Sequence, residues 1–411
     1  MVLPMALHAS QCLVTLQIGA RRLSATVAWI QDDSERVVTH RSIECDWATL
    51  NRRGRQVAIA EVIDLAASSA GVEVFSVFVA IADPSLRANF ASGFVDLGQE
   101  MTFTEEDRFR SLARATHQAI GTDREVLHAL PQHWAIRNSN GESAVPNPVG
   151  QRGTRLTCHV LLVTVLRDIK HEIASLLAEM QIALEGLIAP PVALYRGMSS
   201  TLHKSGSSVI IDIGARHTHL MVHRKGRLIH LETHRYGGDD ITERIAHELD
   251  IGFSQAEEMK CGVDLSARAR GTDPDGQTYL WRDIQERQRL MAPTARVCDQ
   301  SLRAFLGERA RILRDHDLLS QRGRVHLVGR GAALGGLREL VAELFAMPVV
   351  LGTNTNDREI STELTDLMTV GLIRQAASER AHQLRERGGS SIHHVTTAAA
   401  SLWHWLMAPT I

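Results

Sequence analysis

Two twelve-residue stretches of this 411-residue chain read almost alike: LQIGARRLSATV at 16–27 and IDIGARHTHLMV at 211–222. Aligned without gaps they share Ile, Gly, Ala, Arg and a closing Val. Each opens with an apolar run, turns at Gly-Ala-Arg and returns through β-branched or apolar residues, which is the pattern of a β-hairpin. The copies lie far beyond the roughly 20–50-residue period of a solenoid. The repeat therefore predicts a duplicated domain, each half opening on the same hairpin. A match this short also arises by chance between unrelated hairpins, so the rest of each half has to agree.

It does agree in order. The first hairpin is followed by an expected strand at 36–44, a helix at 55–70 with Ile59, Val62, Ile63 and Ala66 at helical spacing, and a strand at 74–81. The second is followed by a strand at 227–233 and a helix from Asp240, whose spacing to Glu243 suggests a capping box. A short buried strand at 325–328 then runs into glycines, ahead of a helix from Leu337 to Phe345. Strands alternating with helices, with a hairpin at each entry, predict an α/β fold with mixed sheets.

A stretch of about ninety residues separates the halves, long enough to fold as a unit. It combines a helix at 104–119, rich in acid at its start, with VLHALPQHWAIR at 126–137, a turn at Asn140-Gly141, a strand at 154–165 and a helix at 168–183. Residues 378–394 are polar and include Gly388-Gly389-Ser390-Ser391, read as a flexible linker. The chain then ends in VTTAAASLWHWLMAPTI. Val395, Ala398, Ala399, Leu402 and Leu406 fall at helical spacing, with Trp403, Trp405 and Met407 beside them and Pro409 as a stop. That pattern suits an in-plane amphipathic helix at a membrane surface, or a helix packed on its own domain.

Composition narrows the class. Lys+Arg 45 against Asp+Glu 47 leaves a net charge of −2, so no basic field points to nucleic acid. Five scattered cysteines without a C-x-x-C pair exclude a disulfide scaffold and a cysteine zinc site, and fit a reducing compartment. Nine Phe, six Trp and three Tyr are few, so the core is expected to be Leu, Val, Ile and Ala. The start lacks the basic residues of a signal peptide, and no run is long enough to span a bilayer.

The turns carry the chemistry. Small residues let consecutive backbone N–H groups approach an anion, so Gly19, Ala20 and Arg21, with Gly214, Ala215, Arg216 and Thr218, are candidates to grip phosphates. Asp212 stands where a carboxylate holds the water shell of Mg2+. Gly237 and Gly238 precede a helix and are expected to present N–H groups to phosphate. Gly329, Arg330 and Gly331 follow a buried strand and are placed to pass beneath a base. Glu257 and Lys260 share a helix face and are placed to bracket a ribose, although such a pair is more often a solvated face. His217, His219, His223, His230 and His234 are dense but lack a completing carboxylate or cysteine, and read as polar-face residues rather than a metal site.

Taken in order, IGARRL, VLHALPQHWAI, NPVGQRGTRL, IDIGARHTHL, YGGDDITERIA, AEEMK and VHLVGRGAALGGL resemble the bacterial cell-division FtsA family of the actin/Hsp70/sugar-kinase superfamily. The similarity runs from about Gln11 to Leu372, and the insert carries most of its specificity. The resemblance implies an actin-like, two-lobed, duplicated fold with an inserted FtsA-type subdomain and an amphipathic C-terminal tail. The expected layout is a first lobe over 1–93, the insert over 94–183 and a return over 184–204. The second lobe's core spans 205–240 and its outer subdomain 241–317, and 318–380 completes that core and returns to the first lobe. A linker over 381–394 and a membrane-targeting helix over 395–411 close it.

The same resemblance implies an adaptor that binds ATP and Mg2+, with at most weak ATPase activity. It implies a tether holding FtsZ filaments to the cytoplasmic face of the inner membrane at the septum, through Leu402, Trp403, Trp405, Leu406 and Met407. It also implies self-assembly into protofilaments and recruitment of later division proteins by the insert. FtsZ's C-terminal peptide is expected at 241–317, with Arg282, Arg287 and Arg289, near Arg296, lending charge if that peptide is acidic. The chain departs from the family in carrying Gln17 where an acidic residue is usual, and Arg216 and Arg330 where backbone should approach the ligand. These departures keep two alternatives open: a nucleotide-free scaffold of the pilus-assembly kind and, with less support, a small-molecule kinase.

Overall fold

The computed structural model describes residues 12–31, 34–118, 121–203, 206–265, 284–352 and 367–388. They fall into two units, one of Met1–Ser199, Leu228–Glu232 and Ile360–Ile411, the other of Ser200–Arg227 and Thr233–Glu359.

The first unit is built on β1 (Cys12–Ile18), β2 (Arg22–Gln31), β3 (Ser34–Glu44), β4 (Ser76–Ile81) and β9 (Ala183–Ile188), in the order β3-β2-β1-β4-β9. β1 pairs antiparallel with β2 and parallel with β4, so it is central, and its near-continuous apolar run is buried on both faces. Helix α1 (Arg52–Ala70) starts where the Asn51 side chain accepts the Gly54 N–H at 2.8 Å and stops at Gly71 in the left-handed conformation. It buries Ala58, Ile59, Val62, Ile63 and Ala66, one apolar stripe at helical spacing.

Between β4 and β9 the chain inserts a second layer pair. Strands β5 (Arg87–Thr102), β6 (Arg124–Asn138), β7 (Gly141–Val145) and β8 (Arg152–Leu166) form a sheet in the order β5-β8-β6-β7. Helix α2 (Glu105–Gln118) covers one face, packing Leu112 and Ala115 onto Phe103, Trp134, Leu156, Cys158 and Val160. Its start is fixed reciprocally: the Thr104 N–H donates to Asp107 Oδ2 at 3.0 Å and the Asp107 N–H to Thr104 Oγ1 at 3.3 Å. β5 has no counterpart in the sequence expectations, and it crosses the boundary expected at residue 94. Its outer face is polar or exposed, and Gly93 and Gly98 dilute the alternation that marks a strand.

Helices α3 (Arg167–Ala178) and α4 (Pro190–Gly197) follow, and α10 (Leu367–Gly388) returns to this unit; α5 (Ser199–His203) falls in the second unit but for its first residue. The helix expected over 168–183 stops at Ala178 because residues from Ala183 on pair with β4. The linker expected from residue 381 is helical as far as Gly388, since Ala, Gln, Leu, Arg and Glu favour helix however polar the stretch.

A second sheet repeats the first, and all of it but Leu228–Glu232 of β12 belongs to the second unit. Strands β10 (Ser207–Ile213), β11 (Thr218–Arg224), β12 (Arg227–His234), β13 (Arg324–Val328) and β14 (Val349–Leu351) lie in the order β12-β11-β10-β13-β14. Here too the opening hairpin is antiparallel, and β10, β13 and β14 run parallel. Helices α6 (Gly238–Leu249), α7 (Phe253–Cys261) and α8 (Ile284–Asp315) occupy the chain between β12 and β13, and α9 (Leu337–Phe345) lies between β13 and β14. The core is aliphatic, with Val209, Ile210, Ile211, Leu220, Val222, Val325, Leu327 and Val341 all buried. Identical strand order in two sheets is the duplication that the hairpin repeat predicted.

Candidate phosphate-binding turns

Each sheet's opening hairpin closes in the same way. The Gly19 N–H donates to the Arg22 carbonyl at 2.9 Å in the first unit, and the Gly214 N–H to the His217 carbonyl at 2.9 Å in the second. The sequence repeat is thus a repeat of backbone geometry.

In the first unit the tip is backed by the bend that follows β3. The Trp47 N–H donates to the Ala20 carbonyl at 3.0 Å and the Cys45 N–H to the Arg21 carbonyl at 3.2 Å. Beside it, exposed Arg22 pairs with Glu44 at 2.8 Å.

In the second unit the tip is backed directly by a helix. The Gly238 N–H donates to the Gly214 carbonyl at 3.0 Å and the Asp239 N–H to the Ala215 carbonyl at 2.7 Å. Gly237 admits this approach, because a Cβ there would collide with the carbonyls of Ala215 and Gly214. Its own N–H is held by Asp240 Oδ2 at 2.7 Å. The helix therefore begins earlier than its acidic pair suggested, and Asp240 is the third residue of the capping arrangement rather than the cap. The amides of Gly237 and Gly238, expected to meet phosphate, are engaged within the chain and fasten the turn. Thr218 is also committed, its buried hydroxyl donating to the Tyr236 carbonyl at 2.7 Å.

Arg216, at the tip, pairs through Nε with Oδ2 of Asp239 at 3.1 Å. Asp239 was not singled out in the sequence. The only signal was the doubled acid after Gly237-Gly238, and its partner is distant in sequence.

Asp212, the penultimate residue of β10, is half-buried and opposite His219 in the register. Its Oδ1 lies where Gly329 lacks a side chain, and Gly329 has a φ of 78°, so the residue must be glycine on both counts. Gly331 lies against the Ile213 side chain, and Arg330 is exposed at the start of a 3-10 turn over Arg330–Ala333. Asp212, the tip and the base-loop candidates are thus neighbours within one unit.

Glu257 and Lys260 share a face of α7, but the lysine points inward. Its Nζ donates to the Gly238 carbonyl at 2.9 Å, Thr242 Oγ1 at 2.8 Å and Glu257 Oε2 at 2.7 Å, which uses all three of its hydrogens. Burial raises the Glu257 pKa, but hydrogen bonds from Lys260 and Thr242 outweigh it and hold the carboxyl below its ordinary range. The pair binds α6 to α7; the acid keeps partial exposure and the lysine has almost none.

Of the five histidines read as polar-face residues, His219 and His223 are instead buried, because β11 is covered on both faces. His219 is buried, its Nδ1 is 3.0 Å from Thr233 Oγ1, and burial with His217 and His234 nearby lowers its pKa to about 3. Among the described residues no three His, Cys, Asp or Glu side chains form a group able to hold a metal. In the insert, His128 of the VLHALPQ stretch is also buried: its Nε2 accepts the Ala189 N–H at 3.0 Å, and its Nδ1 is 3.6 Å from Glu379 on α10.

Of the arginine cluster, Arg282 lies outside the described residues, and Arg287, Arg289 and Arg296 fall on α8. Leu402, Trp403, Trp405, Leu406 and Met407 also lie outside them. No helix among the described residues is long and apolar enough to cross a membrane.

Residues 209–399 match the family model of cell division protein FtsA, and residues 85–164 match that of the SHS2 domain inserted in FtsA. The chain is 23% identical over 375 residues to cell division protein FtsA of Buchnera aphidicola subsp. Baizongia pistaciae, covering 87% of this chain and 88% of that one. It is 26% identical over 364 residues to cell division protein FtsA of Pseudomonas aeruginosa, covering 84% of each. Among solved structures it is similar in fold to a PilM-PilN type IV pilus biogenesis complex, at TM-score 0.57 and 15% identity over 89% of this chain and 97% of that chain. With the duplicated actin-like α/β fold and the insert between β4 and β9, these matches show that the chain belongs to the FtsA family of cell division proteins.

Proposed function

We propose that the chain is a nucleotide-binding division adaptor, taking ATP with Mg2+ at the Gly-Ala-Arg turn of its second unit and joining FtsZ filaments to the inner membrane at the septum. The observation that carries the nucleotide reading is the same closed turn at the same place in two sheets of equal strand order. The second unit's residues fit such a ligand: Asp212 is half-buried beside Gly329, and Arg216 supplies a cation at the tip. When bound, Mg2+ would neutralise phosphate charge. This chain's own part is to orient the metal's water shell with Asp212 and to offer the tip's backbone and Arg216 to the phosphates. Calorimetry tests it: Asp212→Ala is expected to weaken Mg-ATP binding markedly, and Lys225→Ala, in the next hairpin turn, to leave it unchanged. Equal affinity of wild type and Asp212→Ala overturns the assignment.

The adaptor role rests on family membership. On this reading the FtsZ peptide docks on residues 241–317, partners of later division steps dock on the insert, and the chain self-assembles in filaments. The membrane anchor is assigned to residues 395–411, which contain no Lys or Arg. Basic residues near anionic lipid contribute about 1 kcal/mol each, so binding is expected to be weak at neutral pH and tighter when His393, His394 and His404 are protonated. Deleting residues 395–411 is expected to abolish liposome flotation of a folded protein; unchanged flotation removes the tail from the role. Co-sedimentation with FtsZ filaments on liposomes, with and without ATP, tests the whole. Charge reversal at Arg282, Arg287 and Arg289 together tests the peptide site.

A second reading, a scaffold that works without nucleotide, draws on a specific observation. The amides at the start of α6 are already satisfied, and Arg216 is already paired. Wild-type protein that binds FtsZ but shows no heat with Mg-ATP would favour it.

A further inference from the structure

The links that join the β10–β11 tip to the first turn of α6 include three that differ in kind and access. Two are backbone hydrogen bonds, from Gly238 to Gly214 and from Asp239 to Ala215, at 3.0 and 2.7 Å. The third is the ion pair between Arg216 Nε and Asp239 Oδ2 at 3.1 Å. The partners differ in access: the Arg216 side chain keeps 30% of its exposure and that of Asp239 only 8%. An anion arriving from solvent therefore meets the guanidinium first, and the ion pair is the link it can compete for. A phosphate offers more charge and more acceptor oxygens than one carboxylate oxygen, and the planar guanidinium fork suits it. Asp239, once released, remains beside the positive end of α6, which lessens the cost of losing its partner.

We propose that Arg216 senses phosphate by exchanging partners: held by Asp239 in the ligand-free chain, it transfers to the terminal phosphate of a bound nucleoside triphosphate and unfastens the first turn of α6. This rests on the nucleotide reading above. No bond is made or broken covalently; one ion pair replaces another. The release has a defined route onward. Lys260 of α7 holds the Gly238 carbonyl and Thr242, so a loosened first turn of α6 is felt at the C-terminal end of α7. The chain thereby couples ligand occupancy to the helical part of the second unit, and by linkage whatever stabilises the unfastened helix tightens nucleotide.

The direction of one variant separates this exchange from a static role. If Asp239 competes with phosphate for Arg216, Asp239→Asn tightens Mg-ATP binding, whereas loss of a purely structural contact weakens it. Titration calorimetry on the full chain is to compare wild type, Arg216→Gln, Asp239→Asn and the double variant, with circular dichroism confirming the fold. Arg216→Gln is expected to weaken binding about tenfold or more, the usual size for a charge-assisted hydrogen bond. Asp239→Asn is expected to strengthen it several-fold, and to do nothing in the Arg216→Gln background. Tightening by Asp239→Asn that persists without Arg216 reports only the removed negative charge and overturns the exchange, as does weakening by Asp239→Asn. Amide exchange at Gly238, Asp239 and Thr242 gives a second readout, expected to speed up when wild type binds Mg-ATP; slowing there overturns the proposal even if a variant misfolds. A wild type that binds no Mg-ATP removes the nucleotide reading together with this one. A wild type that binds while Arg216→Gln binds equally removes the exchange alone.

Discussion

The two hairpin tips share Gly-Ala-Arg and the same closing hydrogen bond, yet different structure stands behind them. In the first unit a bend at 45–47 supplies the two amides that hold the tip, and α1 begins only at Arg52. In the second the first residues of α6 do so themselves, with a buried carboxylate and a tip arginine added. The difference shows that four residues set the turn's shape, while the segment packed behind it sets what the turn has to offer. A local motif establishes a conformation; the supply of uncommitted donors is a tertiary property.

The largest effect is expected where backing is closest. Gly237→Ala puts a methyl group into the carbonyls of Ala215 and Gly214. Forcing them apart is expected to destabilise by about 2–3 kcal/mol, the range for overpacking. Gly19→Ala and Gly214→Ala meet a carbonyl oxygen only at 3.0 Å in each case, so each is expected to cost about 1 kcal/mol or less. Urea unfolding midpoints check the ranking, and equal losses at Gly237 and Gly214 would break the comparison between tip and backing.

Next in size is Lys260→Met, which takes one donor from each of three acceptors in the second unit, with the Thr242 hydroxyl left to serve the Gly238 carbonyl or Glu257. The loss is expected to be about 2 kcal/mol, moderated because Glu257 reaches solvent. Amide exchange is expected to accelerate over 238–242 and to leave 51–55, at the start of α1, unchanged. Acceleration at both helix starts would mean that Lys260 supports more than the α6–α7 contact.

These two expectations show where sequence reading succeeds and where it stops. The duplication was legible because five identities in a hairpin coincide with equal element order, and the stripe Ile59, Val62, Ile63 and Ala66 of α1 was plain from period alone. Lys260 and Asp239 were not legible in the same way. An E-x-x-K pair looks the same whether its lysine faces solvent or turns inward, and the acceptor that decides is a carbonyl 22 residues away. β5 escaped for a related reason: as an edge strand with exposed Phe90 and Phe94, it lacks the inside-out alternation that an internal strand displays.

A smaller effect comes from pH, and its sign differs between the units. In the second, burial lowers His219 to about 3 and His326 to about 4. Unfolding lets them bind protons near their ordinary value, so stability is lost as pH falls below about 6.5. In the first, burial lifts Glu379 to about 7 despite the hydrogen bond from Gln375 and the charge of Arg196. Folding there favours the protonated acid, so its contribution is present below about pH 4.5 and is lost as pH rises through about 7. His128, lowered to about 3, opposes it on the acid side. Amide exchange from pH 5.5 to 8 is expected to show protection around α10 falling with rising pH and protection of β11 rising. Glu379→Gln is expected to flatten only the α10 profile. Parallel profiles in both units would show that neither buried group governs its own surroundings.

The smallest effect is expected at the ion pairs beside the two tips, and it brings the comparison to a single interaction. Arg22 and Glu44 sit 2.8 Å apart, but their side chains keep 45% and 59% of their exposure. Water and salt screen such a pair, and its coupling is expected to be about 0.5 kcal/mol or less. Arg216 and Asp239 are slightly farther apart, at 3.1 Å, with the acid almost wholly enclosed. Distance alone ranks the exposed pair stronger; solvation ranks it weaker, because an enclosed carboxylate stripped of its partner has little water to replace it. Double-mutant cycles on unfolding free energy, with alanine at each arginine and asparagine or glutamine at each acid, read both couplings. The expected result is a larger coupling at Arg216–Asp239, with the Arg22–Glu44 coupling fading further in 0.5 M salt. Equal couplings would mean that the second tip is held by its backbone bonds alone, and would reduce the contrast between the turns to the two helix amides.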